Sequence, residues 1–368
     1  MAKSEKLTVK ELKEKLLADK KNAVLRMSEE ELKKCDKFCE GYKAFLDIAK
    51  TEREASAEIV KMAKARGFVE FSAKNKYKPG DKVFYLNREK SVILAVIGKE
   101  SIENGVNLVA AHIDSPRLDM KQNPLYEKDE VAYFKTHYYG GIKKYQWVAL
   151  PLALHGVVVK KDGTTVTLNI GDKPGDPVFY ISDLLIHLAA DQMGKTAAKV
   201  IEGDSLNIII GSEPKKDTDK DPVKTAILDI LKEQYGIDEE DFISAELEAV
   251  PAGHARDLGF DRSMIMGYGH DDRVCAYPSM AAVLNYEGTP EYTLAAVLTD
   301  KEEIGSVGAT GMHSRFFENV VAELVAMTDG ESELKVRRAL QNSRMLSSDV
   351  SAAYDPMYAD CLLYTSDA

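Results

Sequence analysis

The sequence predicts an α/β fold: a discontinuous domain of strands and helices, interrupted by a β-rich insert. Two observations carry that prediction. A helical segment followed by short β-branched runs fills residues 8–119, and strand–helix alternation resumes from about Ser263. That is the pattern of a parallel-rich sheet covered on both faces. Between them, the stretch from Val131 to about Asp172 is Gly-punctuated and alternating, with no helix–strand repeat before about Asp183. It reads as mainly antiparallel β. At 368 residues the chain exceeds one ordinary core. Two domains are expected, one of residues 1–119 with 256–368 and one inserted over 120–255.

Residues 8–66 read as two helices. Leu12, Leu16 and Leu17 recur at helical spacing, and Ser28 with Glu31 resembles a capping box before the second helix. That helix would carry Phe38, Tyr42, Phe45 and Ala49 onward to Ala63, with Gly67 stopping it. VFYLNREKSVILAVIG and then VNLVAAHID, from Val83 and Val106, are buried strands by their β-branched runs. Asp162-Gly163 marks a hairpin, and EPKKDTDKDP (213–222) an exposed loop. Farther on, MAAVLNYEG reads as helix, EYTLAAVLTD as strand, Ser314–Asn319 as helix and VVAELVAMTD as strand. The sequence has no internal repeat.

Hydrophobic residues at 45% and charged residues at 30% describe a globular chain. Lys and Arg number 49 against 60 Asp and Glu, a net charge of −11. An acidic surface argues against nucleic acid or an anionic membrane as the main partner. No apolar run approaches the roughly 18–20 residues that span a bilayer. The charged, periodic N-terminus lacks a signal-peptide core, so a cytoplasmic location is expected. Cys35, Cys39, Cys275 and Cys361 make no disulfide framework. Cys35 and Cys39 lie one helical turn apart, but no second pair completes a tetrahedral zinc site.

Four segments carry chemistry. His112 follows the apolar run VNLVAA, and Asp114, two residues on, points the same way along an extended chain. The imidazole suits a metal, and the carboxylate suits its orientation; a capped loop histidine is the structural alternative. Asp271-Asp272 after Gly267-Tyr268-Gly269 can supply a bridging oxygen or a helix cap. Glu302-Glu303 directly after a strand repel each other unless a cation neutralises them, one as ligand and the other as general base. Asp349 in SSDV is a further acid beyond a helical stretch. Together they form the N and O donor inventory of a two-metal site.

AAHIDSPRLD, GYGHDDRVCAYPS, DKEEIGSVGATG and SSDVSAAYDP resemble, in order, the signature segments of the M18 metallo-aminopeptidases, the aspartyl aminopeptidase family. LGFDRSMI fits as well, and the resemblance runs from about residue 10 to residue 358. It implies a zinc-peptidase α/β/α sandwich with an inserted dimerisation domain. It also implies an aminopeptidase that removes single N-terminal residues from peptides with two zinc ions. By the same resemblance His112, Asp271 and Asp349 hold one zinc. Asp271 bridges to a second, also held by Glu303. Glu302 is the general base, and Asp114 orients His112 and the metals. His187, in ISDLLIHLAAD, matches a histidine that a neighbour's insert contributes within a homo-oligomer of twelve subunits; packing on a helix face is the alternative.

One departure stands out. The family has a further metal-binding histidine near its C-terminus, whereas the last of the seven histidines here is His313. The tail CLLYTSDA does not resemble the family's continuation either. The expectation is a truncated chain with a foreign terminus from about Cys361. It would leave the second metal one ligand short and apolar strand edges exposed near Val320–Met327. A non-catalytic metal-binding or assembly subunit and an M42-like dinuclear aminopeptidase are the alternative readings.

Overall fold

The structure is a computed structural model describing residues 8–17, 21–351 and 354–359. The CLLYTSDA tail lies outside the described residues. The chain forms two compact units, Met1–Tyr42 and Lys43–Ala368.

In the first unit, α1 (Val9–Leu16) is started by a capping box between Thr8 and Glu11. The helix α2 (Glu29–Ile48) begins as its sequence predicts, with Ser28 and Glu31 exchanging hydrogen bonds of 2.8 and 3.3 Å. The single long helix expected onward to Ala63 is instead broken. The chain leaves the helix after Ile48, and Thr51 caps a new one, α3 (Glu52–Lys64), through its own capping box with Glu54. Continuous apolar spacing hid that second start signal.

In the second unit, which starts at Lys43 and so contains α3, the strands β1 (Val69–Glu70), β2 (Lys82–Asn87), β3 (Ser91–Val96) and β4 (Asn107–His112) follow that helix. A separate group follows: β5 (Arg117–Lys128), β6 (Val131–Tyr139), β7 (Leu152–Val159) and β8 (Thr165–Ile170). Then come the single turns α4 (Ala190–Met193) and α5 (Ala197–Val200), β9 (Ile208–Gly211), α6 (Pro222–Tyr235) and β10 (Ala245–Pro251). A small hairpin, β11 (Arg256–Leu258) with β12 (Met264–Met266), leads into α7 (His270–Leu284) and β13 (Leu294–Thr299). The described chain continues through α8 (Phe316–Asp329), α9 (Glu333–Asn342) and β14 (Arg344–Ser347).

Among the described residues the larger strands form two sheets. The first runs β1-β2-β3-β13-β4-β14; β13, β4 and β14 are mutually parallel, β3 is antiparallel to both β2 and β13, and β1 pairs with β2 in parallel. Every residue of β3 is buried, so the strand is apolar on both faces. On one face Ile93, Ala95 and Val297 pack with Val320, Val321, Leu324 and Val325 of α8 and Ala339 of α9. Strand alternation turns Val92, Leu94 and Ala296 to the opposite face, where α3 and α7 lie against the sheet. VVAELVAMTD is therefore helix, not strand. Its buried residues fall at i, i+1, i+4 and i+5, a helical stripe that outweighs the β-propensity of valine. The apolar strand edge expected near Val320–Met327 is thus a helix face buried on the sheet.

The second sheet, β8-β7-β10-β5-β6-β9, is antiparallel at every pairing. Its own core gathers Leu118, Phe134, Leu152, Leu154, Phe242 and Leu247. Gly163, with φ +82°, closes the turn between β7 and β8. Pairing of β5 with β6 slips between Met120 and Leu125, around Pro124, which has no N–H to donate.

Buried charge ties the second sheet to α3 and the first sheet. Arg117 reaches Glu52 (2.9 Å), Asp119 (2.8 Å) and Glu248 (3.1 Å), while Lys90 reaches Glu52 (3.2 Å) and Glu246 (3.0 Å). Burial opposes the charge on Glu52, but Arg117 and Lys90 overcome it and hold its carboxyl down to about 2. Nearby, the wholly buried His155 of β7 lies 2.9 Å from Glu54 and 3.1 Å from Asp172. Burial disfavours the imidazolium, yet hydrogen bonds to Asp172 and Glu54 raise its pKa to about 9. A raised histidine pKa stabilises the fold fully below the unfolded value near 6.5 and loses that contribution as pH climbs through the folded value. His155→Gln should therefore cost about 3 kcal/mol at pH 6, read from urea midpoints, and the gap from wild type should narrow as pH rises from about 6.5 through about 9. A gap that is constant with pH would show that His155 is neutral in the fold.

Candidate metal centre

The site forms where three parallel strands end together. Thr299 of β13 pairs with His112 of β4, and Ser347 of β14 pairs with Ala110. The segments leaving those ends carry His112–Asp114, Asp300–Glu303 and Ser348–Asp349 to one edge of the sheet, the edge where open α/β sheets bind ligands. Asp271 arrives from the start of α7, where Asp271 and Asp272 depart from helical angles. Gly269 before them has φ +86°, and a Cβ there would lie 1.9 Å from the Arg273 guanidinium. Only glycine fits this turn.

One ligand atom each from His112, Asp271 and Asp349 lie within 4.8 Å of one another, and this trio could hold a metal ion. His112 Nε2 is 3.2 Å from Asp271 Oδ1, 3.8 Å from Asp349 Oδ1 and 3.6 Å from Glu302 Oε2. It is buried and makes no hydrogen bond. An imidazole nitrogen aimed among carboxylates is a donor set that fits zinc. On the other side of the ring, Nδ1 lies 3.0 Å from the Asp114 carbonyl and 3.2 Å from its carboxylate.

Asp114 organises the rest. Its Oδ1 accepts the Glu302 N–H and its Oδ2 the Glu303 N–H, each at 3.2 Å. The Tyr139 hydroxyl donates to Oδ2 at 2.7 Å. Burial opposes the Asp114 charge, but His112 and these donors hold its pKa below the ordinary value. Lys301, with φ +70°, turns the chain sharply into the short helical turn Glu302–Ile304. There Glu303 Oε1 is buried without a hydrogen bond, against Gly140, where an added Cβ would come 2.9 Å from Glu303 Oε2.

The acids repel one another. Burial, then the charge of Asp271, pushes Glu303 up to about 7. Burial is also the main cause of the upward shift at Glu302, and it raises Asp272 to about 6. His112 is shifted the other way: burial would lower its pKa, but Asp114 and Asp271 raise it to about 11. The cluster favours positive charge at its centre.

The structure thus brings together His112, Asp114, Asp271, Glu302, Glu303 and Asp349. Glu303 falls outside the tight trio. His187 lies on the exposed turn Ile186–Leu188, and no hydrogen bond or ion pair joins it to the site residues of its own chain. Sequence reasoning missed Tyr139, Gly140 and Asp300. Asp300 is wholly buried and receives the Thr310 hydroxyl at 2.5 Å; its place one residue before Lys301 was the available signal. Tyr139 and Gly140 had none. Beside Asp271 opens a cleft of about 780 Å³, lined in part by Ile142, Lys143, Trp147, Arg256 and Tyr268.

A donor set of this kind, at the strand ends of a mixed α/β sheet beside an open cleft, has the arrangement of a metal-dependent hydrolase. Comparison with known proteins narrows the class. The profile of the family described as aminopeptidase I zinc metalloprotease (M18) matches residues 45–366. A Clostridium acetobutylicum protein named probable M18 family aminopeptidase 1 is 54% identical over 352 residues, covering 94% of this chain and 76% of that one. The crystal structure of an M18 aminopeptidase from Thermotoga maritima superposes with TM-score 0.88 at 42% identity, over 94% of this chain and 75% of its own. A yeast structure described as the mApe1 dodecamer of Saccharomyces cerevisiae shares the fold at TM-score 0.69 and 19% identity, over 87% of this chain and 73% of its own. The chain belongs to the M18 family of zinc-dependent aminopeptidases, with their zinc-peptidase fold. None of these matches favours an M42-like enzyme or a non-catalytic subunit.

Proposed function

We propose that His112, Asp271 and Asp349 hold one zinc ion, that Asp271 and Glu303 reach a second, and that Glu302 is the general base. The observation that carries this reading is the buried, unbonded His112 Nε2 facing Asp271, Asp349 and Glu302 at 3.2–3.8 Å. Bound zinc would polarise the scissile carbonyl and make a nearby water more acidic. Glu302, its pKa raised by burial, takes a proton from the attacking water and delivers it to the departing amine. Asp114 holds the His112 ring by Nδ1, leaving Nε2 free as a ligand. The surplus of carboxylates supplies counter-charge to a free α-ammonium, which selects chain ends over internal bonds. Two carboxylates without an imidazole hold a borderline ion weakly, so the second zinc of residues 1–368 is expected to be the looser one.

Glu302→Gln keeps size and hydrogen bonding but cannot accept the proton. Turnover of an aminoacyl-nitroanilide panel should fall by about 10²–10⁴-fold with zinc content unchanged. Glu303→Ala should lose zinc instead. Full turnover in Glu302→Gln would assign the base elsewhere.

The unit around the second sheet, near residues 120–255, is proposed to mediate a homo-oligomer of the kind named for the yeast structure. Support comes from the surface flanking His187, where Leu184, Leu185, Ile186 and Leu188 are 54, 56, 66 and 69% exposed. Apolar side chains clustered in this way suit burial against a second copy. His187 would then enter a neighbour's site. Leu185→Glu with Leu188→Glu should give a smaller particle by light scattering. His187→Ala should keep the assembly and lose turnover. An unchanged particle in the first case, or full activity in the second, would contradict the proposal.

A further inference from the structure

We propose that Tyr139, delivered by the second sheet, is a positioning residue of the zinc site, acting through Asp114. The inference rests on the reading that Asp114 orients His112. The Tyr139 hydroxyl makes the shortest of the hydrogen bonds to the Asp114 carboxylate, 2.7 Å against 3.2 Å from the Glu302 and Glu303 amides. Tyr139 is the last residue of β6 and is buried, so the donor comes from the antiparallel sheet and not from the strands that carry the metal ligands.

The ring cannot easily swing away. The Arg117 guanidinium lies 3.9 Å from its centroid, a cation–π stack. Arg117 is itself clamped by Glu52 of α3, Asp119 of β5 and Glu248 of β10. Lys301, beside the two glutamates, also lies over the ring at 5.9 Å. The next residue, Gly140 with φ +75°, brings backbone against Glu303 so closely that a Cβ would meet its carboxylate. The end of β6 therefore touches the site twice, at Asp114 by a hydroxyl and at Glu303 by backbone.

A carboxylate can orient an imidazole only if its own plane is fixed. With the Tyr139 bond made, Oδ2 is occupied by two donors and Oδ1 faces His112 Nδ1 and the Glu302 amide. Without it, Oδ2 keeps one backbone donor and the carboxylate is freer to rotate, which loosens the ring. The second sheet would then serve the site of its own chain, apart from any part it plays in assembly.

Tyr139→Phe tests this, because it keeps the ring and the Arg117 stack and removes only the hydroxyl. Zinc affinity, measured on the full chain by competition with a chelating dye, should weaken by about 10–100-fold. With zinc saturating, kcat should fall while KM stays. In an Asp114→Ala background the same substitution should weaken zinc binding no further, since the two residues act as one unit. Unchanged zinc affinity in Tyr139→Phe, or an equal loss with and without Asp114, would overturn the proposal. If wild-type protein binds zinc but cleaves no peptide, the peptidase reading fails while the dye competition still decides the role of Tyr139.

Discussion

The constraint on which this structure turns is the crowding of negative charge. Asp114, Asp271, Asp272, Glu302, Glu303 and Asp349 gather around one buried imidazole. Burial first and that crowding second raise Glu303 to about 7, and against its burial the hydrogen bonds to Asp114 and Asp271 raise His112 to about 11. A fold that places acids so close must supply positive charge or accept protons. Here both routes converge on the point a cation would occupy.

The backbone solves the placement problem through strand register. Because β13, β4 and β14 are parallel and end together, short segments from distant parts of the chain meet without long loops. Asp114 then gathers their ends, accepting both glutamate amides and the Tyr139 hydroxyl. The second sheet supplies that hydroxyl, and the Arg117 cluster fixes where the sheet stands relative to α3. Buried ion pairs of this kind add little net stability once desolvation is counted, but losing one partner is costly. Their contribution here is geometric.

Of the residues gathered at the strand ends, His112, Asp114, Asp271, Glu302 and Glu303 were legible because each follows an apolar strand or a glycine turn, positions where chemistry and local pattern coincide, whereas Asp349 showed only as an acid beyond a helical stretch. The two-sheet division was legible from the change in texture near residue 120. Two local errors share one cause, the reading of apolar spacing without its phase. Val320, Val321, Leu324 and Val325 suggest a strand by residue type and a helix by interval, and the interval decided. Thr51 and Glu54 restart a helix inside a pattern that looked unbroken. Tyr139 was beyond reach, since its bond to Asp114 joins the end of β6 to a loop residue 25 positions earlier, just past the end of β4, and nothing local marks it.

The central claim is that His112, held among carboxylates, is the anchor of a zinc site. Without metal its raised pKa keeps it protonated at neutral pH, and zinc binding must expel that proton. Calorimetric titration of zinc into metal-free protein, in buffers of differing ionisation enthalpy, reads both the affinity and the protons released. The account predicts tight binding with net proton release in wild type, and loss of the tight event in His112→Phe. Binding that releases no proton, or that survives intact in His112→Phe, would contradict it.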